Sequence, residues 1–236
     1  MNLLELGVNF FVALFALIDP IGNVPIFAAA TVGATPAQRR LVAVYISAFA
    51  VAFLLIFYFS GLSVLEFFGI SLSAFRIAGG ILLFLLGLDM SRSDFLNSFS
   101  DADAAAGEIK DIRAYARKRF ERLVVPFAMP LLIGPGAIST VIIQASEAAK
   151  FGPAGWAIGA GAILAVGFAT LLSFMLTGVI TKVLGRIGMA IVVRVLGLIL
   201  CAMAVQFVLV GISDATHNVI QHSVAKPYAK PAPAPH

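Results

Sequence analysis

Ile18-Asp19-Pro20-Ile21-Gly22-Asn23-Val24-Pro25 falls near the middle of an apolar run covering about residues 8–30. Leu132-Ile133-Gly134-Pro135-Gly136-Ala137-Ile138-Ser139-Thr140 falls near the middle of another, at about 123–146. Proline removes a backbone donor and clashes with the preceding turn, and glycine loosens a helix further. Each run therefore reads as two half-helices, the second starting at mid-run with amide groups outside any helical ladder. Helices interrupted at matched depth mark the binding region of repeat-built transporters; a pair of packing kinks is the alternative reading.

The composition around these breaks requires a lipid solvent. Hydrophobic residues make up 61% of the 236, charged residues 12%, and the mean hydropathy is +1.02. Soluble domains are about 45–50% apolar and about 25% charged. In lipid every backbone polar group must be satisfied internally, which leaves helices or a closed barrel. Runs of more than a dozen apolar residues without two-residue alternation exclude the barrel. The expected fold is all-α: six transmembrane helices near 8–30, 41–61, 70–90, 123–146, 155–181 and 190–212.

Orientation follows from the basic residues. Arg39, Arg40, Arg92, Lys110, Arg113, Arg117, Lys118, Arg119, Arg122, Lys182 and Arg186 lie in the first, third and fifth connections, and Lys150, Lys226 and Lys230 on the other side. Eleven against three puts the first group in the cytoplasm and both termini in the periplasm of an inner-membrane protein. The first run lacks a basic leader and is expected to be a retained span. The basic stretch 110–122 reads as a solvated topological anchor or as a contact for anionic lipid.

The chain repeats itself. Arg76-Ile-Ala-Gly79-Gly-Ile81-Leu82 matches Arg194-Val-Leu-Gly197-Leu-Ile199-Leu200, and Ala13, Leu17, Ile18 and Pro20 match Ala128, Leu132, Ile133 and Pro135. With three spans per copy the second copy inserts upside down, giving two inverted three-helix repeats with interrupted helices 1 and 4. The expected division is a first repeat at 1–90, a cytoplasmic loop at 91–122, a second repeat at 123–213 and a disordered periplasmic Pro/Ala tail at 214–236.

Asp19-Pro-Ile-Gly-Asn-Val-Pro25, Phe68-Gly-Ile-Ser with Arg76-Ile-Ala-Gly-Gly80, Val125-Pro-Phe-Ala-Met-Pro130 with Gly134-Pro-Gly-Ala-Ile138, and Arg194 through Gln206-Phe207 span nearly the whole chain. At these residues it resembles the MarC family of bacterial and archaeal integral membrane proteins. Some members are regarded as transporters of small neutral amino acids, so the resemblance implies transport of a solute such as glycine, alanine or serine. The expected partners are the bilayer, that solute, and a coupling proton or cation.

The residues themselves suggest how. Asp19 is an acidic residue deep in a span, a functional candidate by default. Asp-Pro is equally a good N-cap, so Asp19 is read either as a site residue or as the cap of the lower half-helix. At the other break Gly134 offers no cap, leaving the amides of Gly136, Ala137 and Ile138 free, with Ser139 and Thr140 nearby. A zwitterion would set its carboxylate there and its ammonium near Asp19 and Asn23. Arg76 and Arg194 either snorkel to headgroups or form gating ion pairs with carboxylates such as Glu66 or Asp89. The series Ala157, Gly161, Ala165, Ala169, Ser173 reads as a small-residue packing ridge on span five.

Other classes find little support. Cys201 is the single cysteine, and His217, His222 and His236 all follow the last span. No P-loop, zinc-protease or cysteine-cluster motif occurs, so no metal, cofactor, enzyme activity or nucleic-acid partner is expected. A lipid-related enzyme or a scaffold without transport activity is the alternative function.

Overall fold

The computed structural model describes residues 2–92 and 111–216. The tail from residue 217 onwards, with its three histidines, and residues 93–110 of the basic loop lie outside these. Within them the chain is all-helical.

Helix α1 (Leu3–Ile18) starts at Asn2, whose side chain accepts from the Glu5 amide while Glu5 accepts from the Asn2 amide, two orphan donors satisfied at once. Its buried row Leu6, Phe10, Leu14, Ile18 has the four-residue spacing of one helix face. The helix stops at Asp19, and a short second helix, α2 (Val24–Ala30), follows, buried on nearly every side. Helix α3 (Pro36–Phe67) begins with a reciprocal Thr35–Gln38 cap, and α4 (Leu72–Ser91) with a Ser71 cap. After the loop come α5 (Ile112–Leu123), a π-helix (Val124–Leu132), α6 (Pro135–Ala149), α7 (Gly152–Met175) and α8 (Thr177–Ala215).

Four of these segments are long and apolar enough to cross a bilayer as single helices: α3, α4, α7 and Ile187–Ala215 of α8. Their outward faces carry Ile56, Phe59, Leu85, Phe168 and Leu198, all more than half exposed. Exposure of that much large apolar surface is unfavourable in water by about 25 cal/mol per Å², and lipid removes the penalty. The chain is an integral multi-pass membrane protein. The two remaining apolar runs, expected as spans one and four, are each built from two pieces, α1 with α2 and the π-helix with α6.

Helices α4 and α8 run antiparallel and make the most extensive contact. A Cβ added at Gly80 would stand 2.7 Å from the Ala204 carbonyl, and one at Gly87 would stand 2.7 Å from that of Gly197. Only glycine lets backbones approach so closely. Helix α7 packs on α1, α3 and α6, while α2 packs on α8. The rings of Phe27 and Phe174 stack with centroids 4.4 Å apart where α2 meets α7.

Three expectations need correction. The ridge Ala157, Gly161, Ala165, Ala169, Ser173 is the exposed to half-exposed side of α7; the buried side carries Gly155, Gly159, Ile163, Val166, Gly167 and Thr170. Both lines are rich in small residues, so size alone did not identify the packed face. Gly159 is filled by the Tyr58 ring and Gly167 by Val51. The connection at 182–189 is helical rather than a loop, broken only by Gly185 at φ +60, where a side chain would be strained. The end of the basic loop is not simply solvated. It forms amphipathic α5, which buries Tyr115, Ala116, Arg119 and Leu123 on its inner side and leaves Arg113, Arg117, Lys118 and Arg122 outside.

Candidate solute site at the first helix break

The first break is a compact turn closed by its own polar groups. A residue preceding proline is pushed out of the right-handed helical region, and Asp tolerates the left-handed one. Asp19 adopts φ 43, ψ 65 and ends α1, its amide still bonded to the Phe15 carbonyl at 2.9 Å. It is therefore the C-cap of the upper half-helix, not the N-cap of the lower. The intervening turn delays α2 to Val24, whose N-cap is Asn23 without a capping side-chain bond.

Each polar side chain in the turn has a defined job. Asp19 Oδ1 accepts from the Gly22 amide at 3.1 Å, and Gly22 has no Cβ to obstruct the carboxylate folded over it. Asn23 is 5% exposed and donates from Nδ2 to the Ile18 carbonyl at 2.7 Å and the Asp19 carbonyl at 3.2 Å. The Ile18 carbonyl is one that the interruption of the ladder left over, while that of Asp19 also accepts from the Asn23 amide at 3.1 Å. Asn23 thus bridges the two half-helices from the inside.

Asp19 and Asn23 face a half-open cavity of about 70 Å³, lined otherwise by apolar side chains such as Met90 of α4, Leu131 of the π-helix and Leu196 of α8. This is room for several water-sized groups. No basic side chain lines it, and among the described residues Asp19 has no ion-pair partner. A carboxylate without a countercharge in an apolar cleft attracts cationic groups.

The second break is arranged differently. Gly134 is an extended N-cap with φ −77, ψ 166, and Pro135 opens α6. The Ile138 amide, expected to be free, makes the first bond of the helix, to the Gly134 carbonyl at 3.1 Å. Helical geometry puts it at the fourth position of the turn, one residue too far in. The amides of Gly136 and Ala137 stay outside the ladder. The Ser139 hydroxyl turns back to the Pro135 carbonyl at 2.7 Å, and Thr140 is half-buried. The ring of Phe207 on α8 covers the open side of Gly136, and Gly79 of α4 receives Pro135. Gly134, Gly136, Ala137, Ile138, Ser139 and Thr140 do not line the Asp19 cavity.

The two repeat-related arginines also part ways. Arg76 pairs with Asp214, joining the start of α4 to the end of α8, rather than with Glu66 or Asp89. Asp89 pairs with Arg92 at 3.2 Å, one turn along its own chain. The antiparallel α4–α8 contact sets residue 76 opposite residues 211–214, a separation no local pattern reveals. Arg194 lies in an open groove beside Ile187, Ala190 and Ile191.

One residue was passed over in the sequence. Arg119 is 3% exposed, and its Nε donates to the Ala30 carbonyl at the end of α2. Arg39 Nη2 reaches the adjacent Thr31 carbonyl at 3.5 Å. Positive charge at a helix C-terminus complements its dipole. The available signal was periodicity: Tyr115, Arg119 and Leu123 fall on one helical face.

Comparison with known proteins fits this picture. The model of the MarC family, described as MarC family integral membrane protein, matches residues 4–216. A UPF0056 membrane protein of Methanocaldococcus jannaschii is 38% identical over 205 residues, covering 87% of this chain and 95% of its own. One from Buchnera aphidicola of Schizaphis graminum is 34% identical, covering 88% and 92%. The UPF0056 membrane protein YhcE of Escherichia coli is 31% identical, covering 86% and 90%. No solved structure matches the chain. The match across nearly all of the described helices, with these relatives, makes the chain a member of the MarC family of integral membrane proteins.

Proposed function

We propose that this protein is a secondary transporter for a small solute, a neutral amino acid such as glycine, alanine or serine, in the bacterial inner membrane. The observation that carries the reading is Asp19: a carboxylate without a countercharge among the described residues, facing a cavity where a helix is broken. Such breaks, with their exposed backbone polarity, are tolerated in lipid where they line a cavity or contact a ligand.

Part of the packing fits a six-span inverted repeat. If α1 corresponds to the π-helix, α2 to α6, α3 to α7 and α4 to α8, then each contact should have a mirror. The α1–α7 contact is mirrored by π-helix–α3, α2–α8 by α6–α4, and α2–α7 by α6–α3, while α4–α8 maps onto itself. All are present. In this reading both termini are periplasmic, the solute leaves unchanged, and the ammonium group seeks Asp19. The second break then supplies the carboxylate subsite in another conformation, once Phe207 has left Gly136.

The test is uptake of labelled glycine, alanine and serine into vesicles reconstituted with the purified protein. Substrate-dependent flux that unlabelled amino acid competes away supports the reading. No flux of any of the three, in vesicles where the protein is inserted and folded, rejects it in favour of a lipid-related enzyme or scaffold.

A further inference from the structure

The carbonyl groups at the end of α1 add a second ligand set to the Asp19 cavity. In a continuous helix the Ala16 carbonyl accepts from the amide of residue 20, but residue 20 is proline and has none. The Ile18 carbonyl is taken by Asn23, and that of Asp19 by the amide and side chain of Asn23. No donor among the described residues reaches the carbonyls of Ala16 or Leu17, and both residues line the cavity together with Asp19. The C-terminal end of a helix carries partial negative charge, which adds to the field of the carboxylate.

From this we propose that the cavity is a binding site for a compact monovalent cation, held by the Asp19 carboxylate and the Ala16 and Leu17 carbonyls. Hard oxygen ligands suit an alkali ion such as sodium, and one carboxylate balances one charge. The ammonium head of an amino acid offers the same charge in a larger group, and the arms of the test separate the two sources. The proposal deepens the transport reading by naming the group that occupies the first break, but it does not require transport to be measured.

The unfolding temperature of the full-length chain in detergent is followed with sodium chloride against choline chloride at equal ionic strength, with no amino acid present. Choline is too bulky for the cavity and serves as reference. A saturable rise with sodium supports an alkali-ion site, and a rise with methylammonium chloride but not sodium assigns the site to the substrate amine. Asp19→Asn should lose the rise while keeping the Gly22 acceptor and the fold. Pro20→Ala returns an amide to the Ala16 carbonyl, and should raise the half-saturating concentration about tenfold, the equivalent of one hydrogen-bond-sized contact. A rise with neither cation, or one that survives Asp19→Asn, overturns the site. An unchanged half-saturating concentration in Pro20→Ala overturns the part given to the carbonyls. Failure here leaves amino-acid flux in vesicles to stand or fall separately.

Discussion

Asp19 and Asn23 are four residues apart and do opposite things. Asn23 spends its amide on α1 carbonyls and holds the break in shape, whereas the Asp19 carboxylate keeps one oxygen for the cavity. Asp19→Asn preserves the turn, because the amide oxygen still accepts from Gly22. It should fold normally and lose most solute flux, by about thirtyfold or more if the lost contact resembles a truncated buried charge pair at 2–5 kcal/mol. Normal flux in that variant would reduce Asp19 to a turn residue. Arg119→Ala is the converse case: it touches no cavity, yet strands the buried Ala30 carbonyl. We expect about 1–3 kcal/mol of destabilisation, seen as a lower unfolding temperature, with residual transport in whatever protein folds. Asp19 stood out in the sequence because charge is rare within a span. Arg119 did not, because it stands in a run of basic residues and only its partner distinguishes it.

At the level of helices, proline and glycine announced both interruptions, and both are where the sequence put them. What lay beyond the sequence was the form of each end. Local rules gave Asp-Pro as an N-cap, but the left-handed turn at Asp19 made it a C-cap, and the π-helix before Gly134 has no pattern to betray it. The packed side of α7 was likewise hidden, since glycine and alanine line both of its faces. Gly159→Ala tests the assignment by steric conflict with Tyr58 and should cost about 1–3 kcal/mol, whereas Gly161→Ala, with open space around it, should be neutral or slightly stabilising. Thermal unfolding of the two purified variants compares them directly. Replacing Gly134, Pro135 and Gly136 together with alanine favours a continuous span four by about 1 kcal/mol per glycine and about 3 for the proline. Such a protein should insert and fail to transport; normal transport would make the break a packing kink.

Across the whole molecule, the distribution of positive charge biases orientation, and α5 adds an exposed basic face with Arg113, Arg117, Lys118 and Arg122. Reporter fusions after Ala37, Arg117 and Arg186 should report cytoplasm, and fusions near Gly69, Phe151 and the C-terminus periplasm. A cytoplasmic C-terminus would overturn both the orientation and the count of six spans. Composition made the membrane class readable in advance, since it depends on a sum over many residues. The meeting of α4 with α8, and of α5 with the end of α2, depends on long-range packing that no local window contains.

Trp156 is the only tryptophan in the chain. It lies edge-on to Tyr58 at 5.0 Å and stacked on Phe59 at 5.6 Å, on the seam between α3 and α7. The protein therefore carries a single tryptophan fluorophore where α3 meets α7, and tryptophan emission comes from one known place. If α3 and α7 shift against each other when solute binds, adding solute should move that emission without any label having been attached.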